Sequence, residues 1–255
     1  MTIYKVIVSI LKNFNIGITT YDNLNSLNTF KNNYGDLEGF SENRLQKLAE
    51  LYSISNAQLS QDLFVLHELD FKKDGFFVEF GATNGKDLSN TYLLEKKFNW
   101  KGILAEPAKN WHLDLEKNRD CNIDKNCVWI DSYTCLKFHE SDTKELSTIQ
   151  NFVENDIHHN KRSKGQIYDV QSISLLDLLD KYDAPRTIDY LSIDTEGSEY
   201  EILSNFDFTK YNFRIITCEH NYTTNRDKIK VLLEKNGYKR KFMGISKFDD
   251  WYVQV

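Results

Sequence analysis

The sequence predicts a doubly wound α/β fold: a seven-stranded, mostly parallel sheet with helices on both faces, an antiparallel last strand and a helical N-terminal extension. Three observations predict it. Short apolar runs alternate with helical patterns, five of those runs end in an acid, and the last two are joined by too little chain for a helical crossover. The 255 residues are 40% hydrophobic and 27% charged, which suffices for a sizeable core. With 2 Pro and 11 Gly there is no composition for a flexible linker, and no repeat is present. A net charge of -6 without a dense basic face argues against nucleic acid as a partner. Cys121, Cys127, Cys135 and Cys218 form no CxxC pair and follow no signal peptide, so reduced thiols in the cytoplasm are expected.

Residues 1–58 read as the N-terminal extension. Ile3, Val6, Ile7, Ile10, Leu11 and Phe14 fall at helical spacing, but the stretch is too short to span a bilayer and is interrupted by Lys5 and Lys12. Packing against the chain itself, or against a second copy in a homo-oligomer, is expected rather than attachment to a membrane surface, because the polar face is not rich in Lys and Arg. A second helix is predicted from Ser41 to Tyr52, with Ser41 capping its first turn. Residues 59–255 read as the main domain. A helical stripe through Leu63, Phe64, Leu66 and Leu69 leads into the first strand, Phe76 to Phe80. Further core strands are predicted at 102–106, 127–131, 190–194 and 214–219, with a helix opening at Lys86, and the closing pair lies near Tyr238 to Gly244 and Trp251 to Val255. Residues 132–172 read as an insertion on the substrate side: a helix over Asp142 to Ile157, then a loop and strand over Lys161 to Gln171.

The core strands end in Glu79, Glu106, Asp131, Asp194 and Glu219. Ligands of open α/β sheets lie at the carboxyl ends of the strands, so these acids are expected to converge. Several buried like charges require a cation or hydrogen-bond donors to answer them, although any one acid taken alone serves equally well as a cap or surface partner. The turn Glu79-Phe80-Gly81-Ala82-Thr83-Asn84-Gly85 follows a strand, and its glycines allow close backbone approach to a nucleotide-like ligand. A carboxylate at Glu79 disfavours a phosphate-rich dinucleotide.

The segment from Gln61 to Tyr238 resembles the FkbM family of methyltransferases. The resemblance is carried by Phe77-Val78-Glu79-Phe80-Gly81-Ala82, by Ser89-Asn90-Thr91 before Leu94-Glu95, by Trp100-Lys101-Gly102-Ile103 with Glu106-Pro107, and by Ile188 through Glu199 with its Asp194-Thr195-Glu196-Gly197-Ser198-Glu199 core. It implies a Rossmann-like class I methyltransferase fold, S-adenosylmethionine as donor, and O-methylation, often of sugars. The expected donor-binding set is Glu79, Gly81, Ala82, Gly85, Ser89, Asn90, Thr91, Glu106, Asp131 and Ser132. Within it, Ser89 to Thr91 suit the methionine carboxylate and Glu106 the ribose diol.

Transfer to a hydroxyl needs a group that removes its proton. His220, whose reference pKa is near 6.5, is the first candidate base, with Asp194 second and Glu219 beside them. The alternative for His220 is a hydrogen-bonded core histidine. Asp194, Glu219 and His220 are also the candidate ligands of a divalent metal, Mg²⁺ or Mn²⁺. Glu196 and Asn221 are candidate acceptor contacts. His158, His159, Lys161 and Arg162, with Lys164, form the one dense basic run and suit a nucleotide diphosphate, a solvated loop being the alternative. The expected acceptor is a sugar, nucleotide-linked or a glycan precursor. The preference for Lys over Arg with abundant Asn and Ile suggests an AT-rich genome, hence bacterial surface (capsule-type) polysaccharide. The competing functions are a non-sugar natural-product methyltransferase, an inactive scaffold and a nicotinamide-dependent oxidoreductase.

Overall fold

The computed structural model describes residues 41–153, 159–162 and 164–255, apart from the side chains of Glu42, His159 and Lys161. The chain divides into two units, Met1–Ser55 and Asn56–Val255. In the first, helix α1 (Glu42–Tyr52) starts where the sequence places it, with the Ser41 hydroxyl accepting from the Arg44 amide. The helix expected over Ile3 to Phe14 lies outside the described residues.

In the second unit, α2 (Gln61–Glu68) precedes β1 (Phe76–Phe80), α3 (Tyr92–Phe98), β2 (Lys101–Ala105), α4 (His112–Asn118) and β3 (Asn122–Asp124). An insertion follows, comprising β4 (Cys127–Trp129), β5 (Cys135–Ser141), β6 (Thr148–Ile149), the short α5 (His159–Arg162) and β7 (Gly165–Ser174). The chain then continues through α6 (Leu175–Lys181), β8 (Thr187–Ile193), α7 (Glu199–Ser204), β9 (Asn212–Glu219), α8 (Asn225–Lys235), β10 (Tyr238–Lys241) and β11 (Asp249–Gln254). The main sheet has seven strands in the order β10-β11-β9-β8-β1-β2-β3, and β11 alone runs antiparallel to its neighbours. The fold class expected from the sequence is the one observed.

Side chains alternate across this sheet, and the alternation decides what each face holds. Val78, Phe80, Leu191, Ile193, Ile216 and Cys218 point into one apolar layer with Leu178, Ile202, Leu203, Ile229 and Leu233 of α6 to α8. Burying each such side chain contributes about 1.5–3 kcal/mol. Their neighbours face the other way, where the Phe64 ring of α2 stacks on Trp251 at 4.9 Å.

Three expectations are corrected. The third strand of the main sheet is Asn122–Asp124, whereas Cys127–Trp129 pairs with β7 in a second, four-stranded sheet of order β4-β7-β5-β6. The helix expected over Asp142 to Ile157 is, in its described part, two 3₁₀ turns and β6. The Ser147 hydroxyl accepts from the Ser141 amide and the Ser141 hydroxyl from the Thr143 amide, bonds that fold the segment into local turns. The helix expected from Lys86 starts at Tyr92, because the preceding residues fold around Glu79. No helix among the described residues is long and apolar enough to cross a membrane.

Candidate active site

A cavity of about 320 Å³ opens at the carboxyl ends of β1, β2, β8 and β9, and the insertion covers it with Phe138, Lys144–Ser147 and Ile149. Gly81 leaves β1 with φ +70, and a Cβ there would lie 1.8 Å from the Asp194 carbonyl oxygen, so only glycine lets the two strand ends meet. Ala82, Thr83, Glu106 and Pro107 continue this wall.

Glu79 is answered by the protein itself. Its carboxylate accepts from the Asn90 amide (2.8 Å), from the Ser89 hydroxyl (3.1 Å) and from the Thr91 hydroxyl. Ser89 and Asn90, expected with Thr91 to meet a ligand carboxylate, line the cavity and Thr91 adjoins it, and these donors bond to Glu79. Arg119, which sequence reasoning missed, completes the arrangement. Its wholly buried guanidinium reaches Glu95 (2.6 Å), the Gly85 carbonyl (2.9 Å), Ser89 (3.1 Å), Thr91 (2.8 Å) and, more distantly, Glu79 (3.7 Å). Gly85 lies behind the cavity wall, and a Cβ on it would come within 2.7 Å of the Arg119 side chain. Nothing local in the sequence marks this arginine, since its hydrogen-bond partners lie 24 to 34 residues away and Glu79 farther still.

Glu106 accepts from the Thr83 and Ala108 amides, each at 2.8 Å, and stands in the cavity wall. Burial, only partly offset by those two bonds, pushes its carboxyl up to about 7. Asp131 and Ser132 are corrected: Asp131 is exposed, and Ser132 bonds Ser174 and Asp177 outside the cavity. The acid that does end β3, Asp124, pairs with Lys181 at 2.7 Å. The cavity wall on this side is Trp111, Cys127, Val128 and Phe138.

At the other end Asp194, Glu196 and Glu219 each bring a carboxylate oxygen within 4.8 Å of the others. Unit charges 4.8 Å apart repel by about 3–4 kcal/mol at an effective dielectric of about 20, so full ionisation of all three is costly. Burial first, then the neighbouring acids, push Asp194 up to about 7, and the same causes raise Glu219 well above the carboxylate range. Asn221 donates its amide to Glu219 at 2.7 Å, and Arg162 donates to Glu196 at 2.6 Å. Arg162 also donates to the Leu146 carbonyl at 2.7 Å, which joins the insertion to this acid. It is buried, so its expected role as a phosphate contact is corrected. Glu196, Asn221 and Tyr222 hold φ of 58, 42 and 57, and such left-handed backbone gathers where a site over-determines it. His158 lies outside the described residues, as do the side chains of His159 and Lys161.

His220 does not reach the cavity. Glu219 faces the cavity, and the next side chain is directed to the opposite face, where His220 Nδ1 accepts from the Tyr222 amide at 3.0 Å and Nε2 lies 3.7 Å from Asp250. Burial pushes this imidazole down, toward its neutral form. The expected base and the expected imidazole ligand of a metal set are thus both removed, and Glu196 takes the third place beside Asp194 and Glu219.

The family model of the Methyltransferase FkbM domain matches residues 79–240. A comparison with curated proteins finds no match. Among solved structures, the methyltransferase FkbM of Methylobacillus flagellatus KT is similar at 12% identity with a TM-score of 0.49, over 91% of this chain and 58% of that one. The chain thus spans less than two thirds of that protein. The human methyltransferase 10 domain containing protein is similar at 12% identity and TM-score 0.40, over 91% of this chain and 93% of that one. Precorrin-6y C5,15-methyltransferase of Geobacter metallireducens GS-15 gives 12% and 0.40, over 71% of each. The matched residues run from Glu79 to Arg240, include Glu219 and cover well over half of the 255-residue chain, which belongs to the FkbM methyltransferase domain family.

Proposed function

We propose that this protein is an S-adenosylmethionine-dependent O-methyltransferase acting on a hydroxyl of a sugar, nucleotide-linked or part of a glycan precursor. The observation that carries the proposal is one cavity holding Glu106 at one end and the Asp194–Glu219 pair at the other, joined by the Gly81 crossing. A cationic, hydroxyl-bearing donor fits this set, because the acids standing in the cavity exceed the cations that answer them. When bound, the donor supplies a methyl on a sulfonium: the C–S bond breaks, a C–O bond forms, and sulfur leaves as a neutral thioether.

The chain's own residues do the rest. Glu106 accepts from the ribose hydroxyls through lone pairs its two backbone donors leave free. Asp194 takes the hydroxyl proton onto a carboxylate oxygen, and Glu196, Glu219 and Asn221 orient the acceptor. Trp111 and Tyr222, both in the cavity lining, give the acceptor aromatic surface to pack on. The sugar rests on the family resemblance, as does a setting in bacterial surface polysaccharide. The division near residue 58, a homo-oligomer formed through the extension and a cytoplasmic location belong to the same proposal. Incubation with methyl-labelled donor and a panel of nucleotide sugars tests it. Label and a methyl mass gain on a sugar are expected. Label on a non-sugar alcohol would overturn the acceptor class, and failure to bind donor at all would leave an inactive scaffold.

A further inference from the structure

Glu196 is a cavity acid held in place from the insertion. Its backbone, at φ 58, is fixed from two sides: the Glu199 carboxylate accepts from the Thr195 and Gly197 amides at 3.0 Å each, and the Thr148 hydroxyl of β6 donates to the Glu196 carbonyl at 3.1 Å. Gly197 lies so near Phe152 of the insertion that a Cβ on it would come within 3.2 Å of that side chain. The Glu196 carboxylate is held separately. Arg162 Nη2 donates to its Oε2 at 2.6 Å, and the Asn221 side-chain amide reaches the same oxygen at 3.5 Å. Arg162 comes from behind the wall: its side chain is wholly buried and does not line the cavity, whereas Leu146, Ser147, Ile149 and Glu196 do. The same guanidinium donates to the Leu146 carbonyl at 2.7 Å and to the Phe152 and Val153 carbonyls at 3.4 Å each. A planar fork of five donors serves a carboxylate and several carbonyls at once, which the point charge of a lysine cannot. Drawing the insertion away from the β8 end would break a buried ion pair, so the two parts of the wall are joined through this one side chain.

We propose that Arg162 is a positioning residue for the acceptor: it sets the Glu196 carboxylate and the Leu146–Ser147 edge of the insertion in one geometry, so that the acceptor's seat is complete only with the insertion docked. The inference rests on the proposed function. It goes beyond that reading by assigning acceptor recognition to a side chain that touches no ligand. Glu106, at the donor's end, is fixed by the Thr83 and Ala108 amides instead, so donor and acceptor should respond differently to the loss of Arg162.

Arg162→Lys, Glu196→Gln and the double variant of the full chain test it. They are compared by calorimetry with S-adenosylhomocysteine and by steady-state methylation of the nucleotide sugar that takes label in the panel. Each single change should lower kcat/KM for that sugar about tenfold or more, while thioether affinity stays within about threefold. The double variant should be no worse than the poorer single one, because both changes remove the same contact. Thioether affinity that falls in step with kcat/KM, effects that multiply in the double variant, or unchanged acceptor kinetics in Arg162→Lys would each overturn the inference. Hydrogen exchange gives a readout that needs no acceptor. Glu196→Gln should speed exchange in residues 146–153, and Arg162→Lys in residues 195–198, with β1 unaffected; faster exchange confined to the altered segment would overturn the inference as well. If Arg162→Lys does not fold, Glu196→Gln decides through the same exchange. Failure of the unaltered protein to bind the thioether would instead sink the donor proposal, with exchange still deciding the link between Arg162 and Glu196.

Discussion

Arg119→Met is the most demanding perturbation of the site's framework. The guanidinium is fully buried between Glu95 at 2.6 Å and Glu79 at 3.7 Å, and it also serves Gly85, Ser89 and Thr91. Methionine keeps much of the volume against Phe77 and Tyr92 but leaves buried Glu79 without its cation and Glu95 with Lys96 alone. Removing one partner of a buried ion pair costs about 3–5 kcal/mol, a large share of the roughly 5–15 kcal/mol by which domains are stable. Urea unfolding followed by far-ultraviolet dichroism measures the loss. The pH dependence gives the sign. Burial pushes Glu95 up, but Arg119 and Lys96 outweigh it and hold the carboxyl below its usual value of 4.5. A depressed carboxyl contributes stability above its unfolded pKa, so the wild type loses that contribution as pH falls below about 4.5. In the variant burial of Glu95 is opposed by Lys96 alone, so its carboxyl should move up and stability should rise as pH falls from about 7 to 5. A loss below about 1 kcal/mol with no such rise would mean that Glu79 and Glu95 find other partners, and the assignment of Arg119 as their counter-charge would fail.

Other outcomes follow from the same geometry. Glu106→Ala should lower S-adenosylhomocysteine affinity at least about tenfold in a folded protein, read by calorimetry, and unchanged affinity would remove Glu106 from the donor site. Asp194→Asn should lower turnover about 10²–10⁴-fold with thioether affinity kept within severalfold. Wild-type turnover should in turn rise through about pH 7, because a base must be ionised and burial has raised Asp194 to that range; a flat profile would count against it. His220→Gln should leave turnover within severalfold while costing stability, since the side chain holds the Tyr222 amide and faces Asp250. A hundredfold loss of turnover in that variant would restore the histidine as base.

What the sequence revealed and concealed has physical causes. Strands β1, β2, β8 and β9 are legible because central parallel strands are buried on both faces and read as unbroken apolar runs. Strand β3 is an edge of three residues, Asn122–Asp124, with one apolar side chain, so the more apolar Cys127–Trp129 drew the assignment although it belongs to the insertion. Placing His220 in the site was avoidable. Adjacent strand residues point to opposite faces, and with Glu219 facing the cavity His220 had to face α8. Arg119 and Arg162 were beyond reach, because a long side chain that pairs across 24 or 34 residues leaves no periodic trace. Ser89 and Asn90 line the cavity with Thr91 beside it, and their donors bond to Glu79, a pairing that the sequence leaves unmarked. Donors that suit a ligand's carboxylate suit Glu79 equally, and only coordinates distinguish the two.

The account depends most on the cavity being the place where the methyl donor lies. A crystal structure of the chain with S-adenosylhomocysteine tests this directly. The ribose hydroxyls should meet Glu106, and the sulfur should lie between Gly81 and the Asp194–Glu219 pair. A ligand bound elsewhere, or one whose ribose lies at Asp194 with Glu106 untouched, would contradict it.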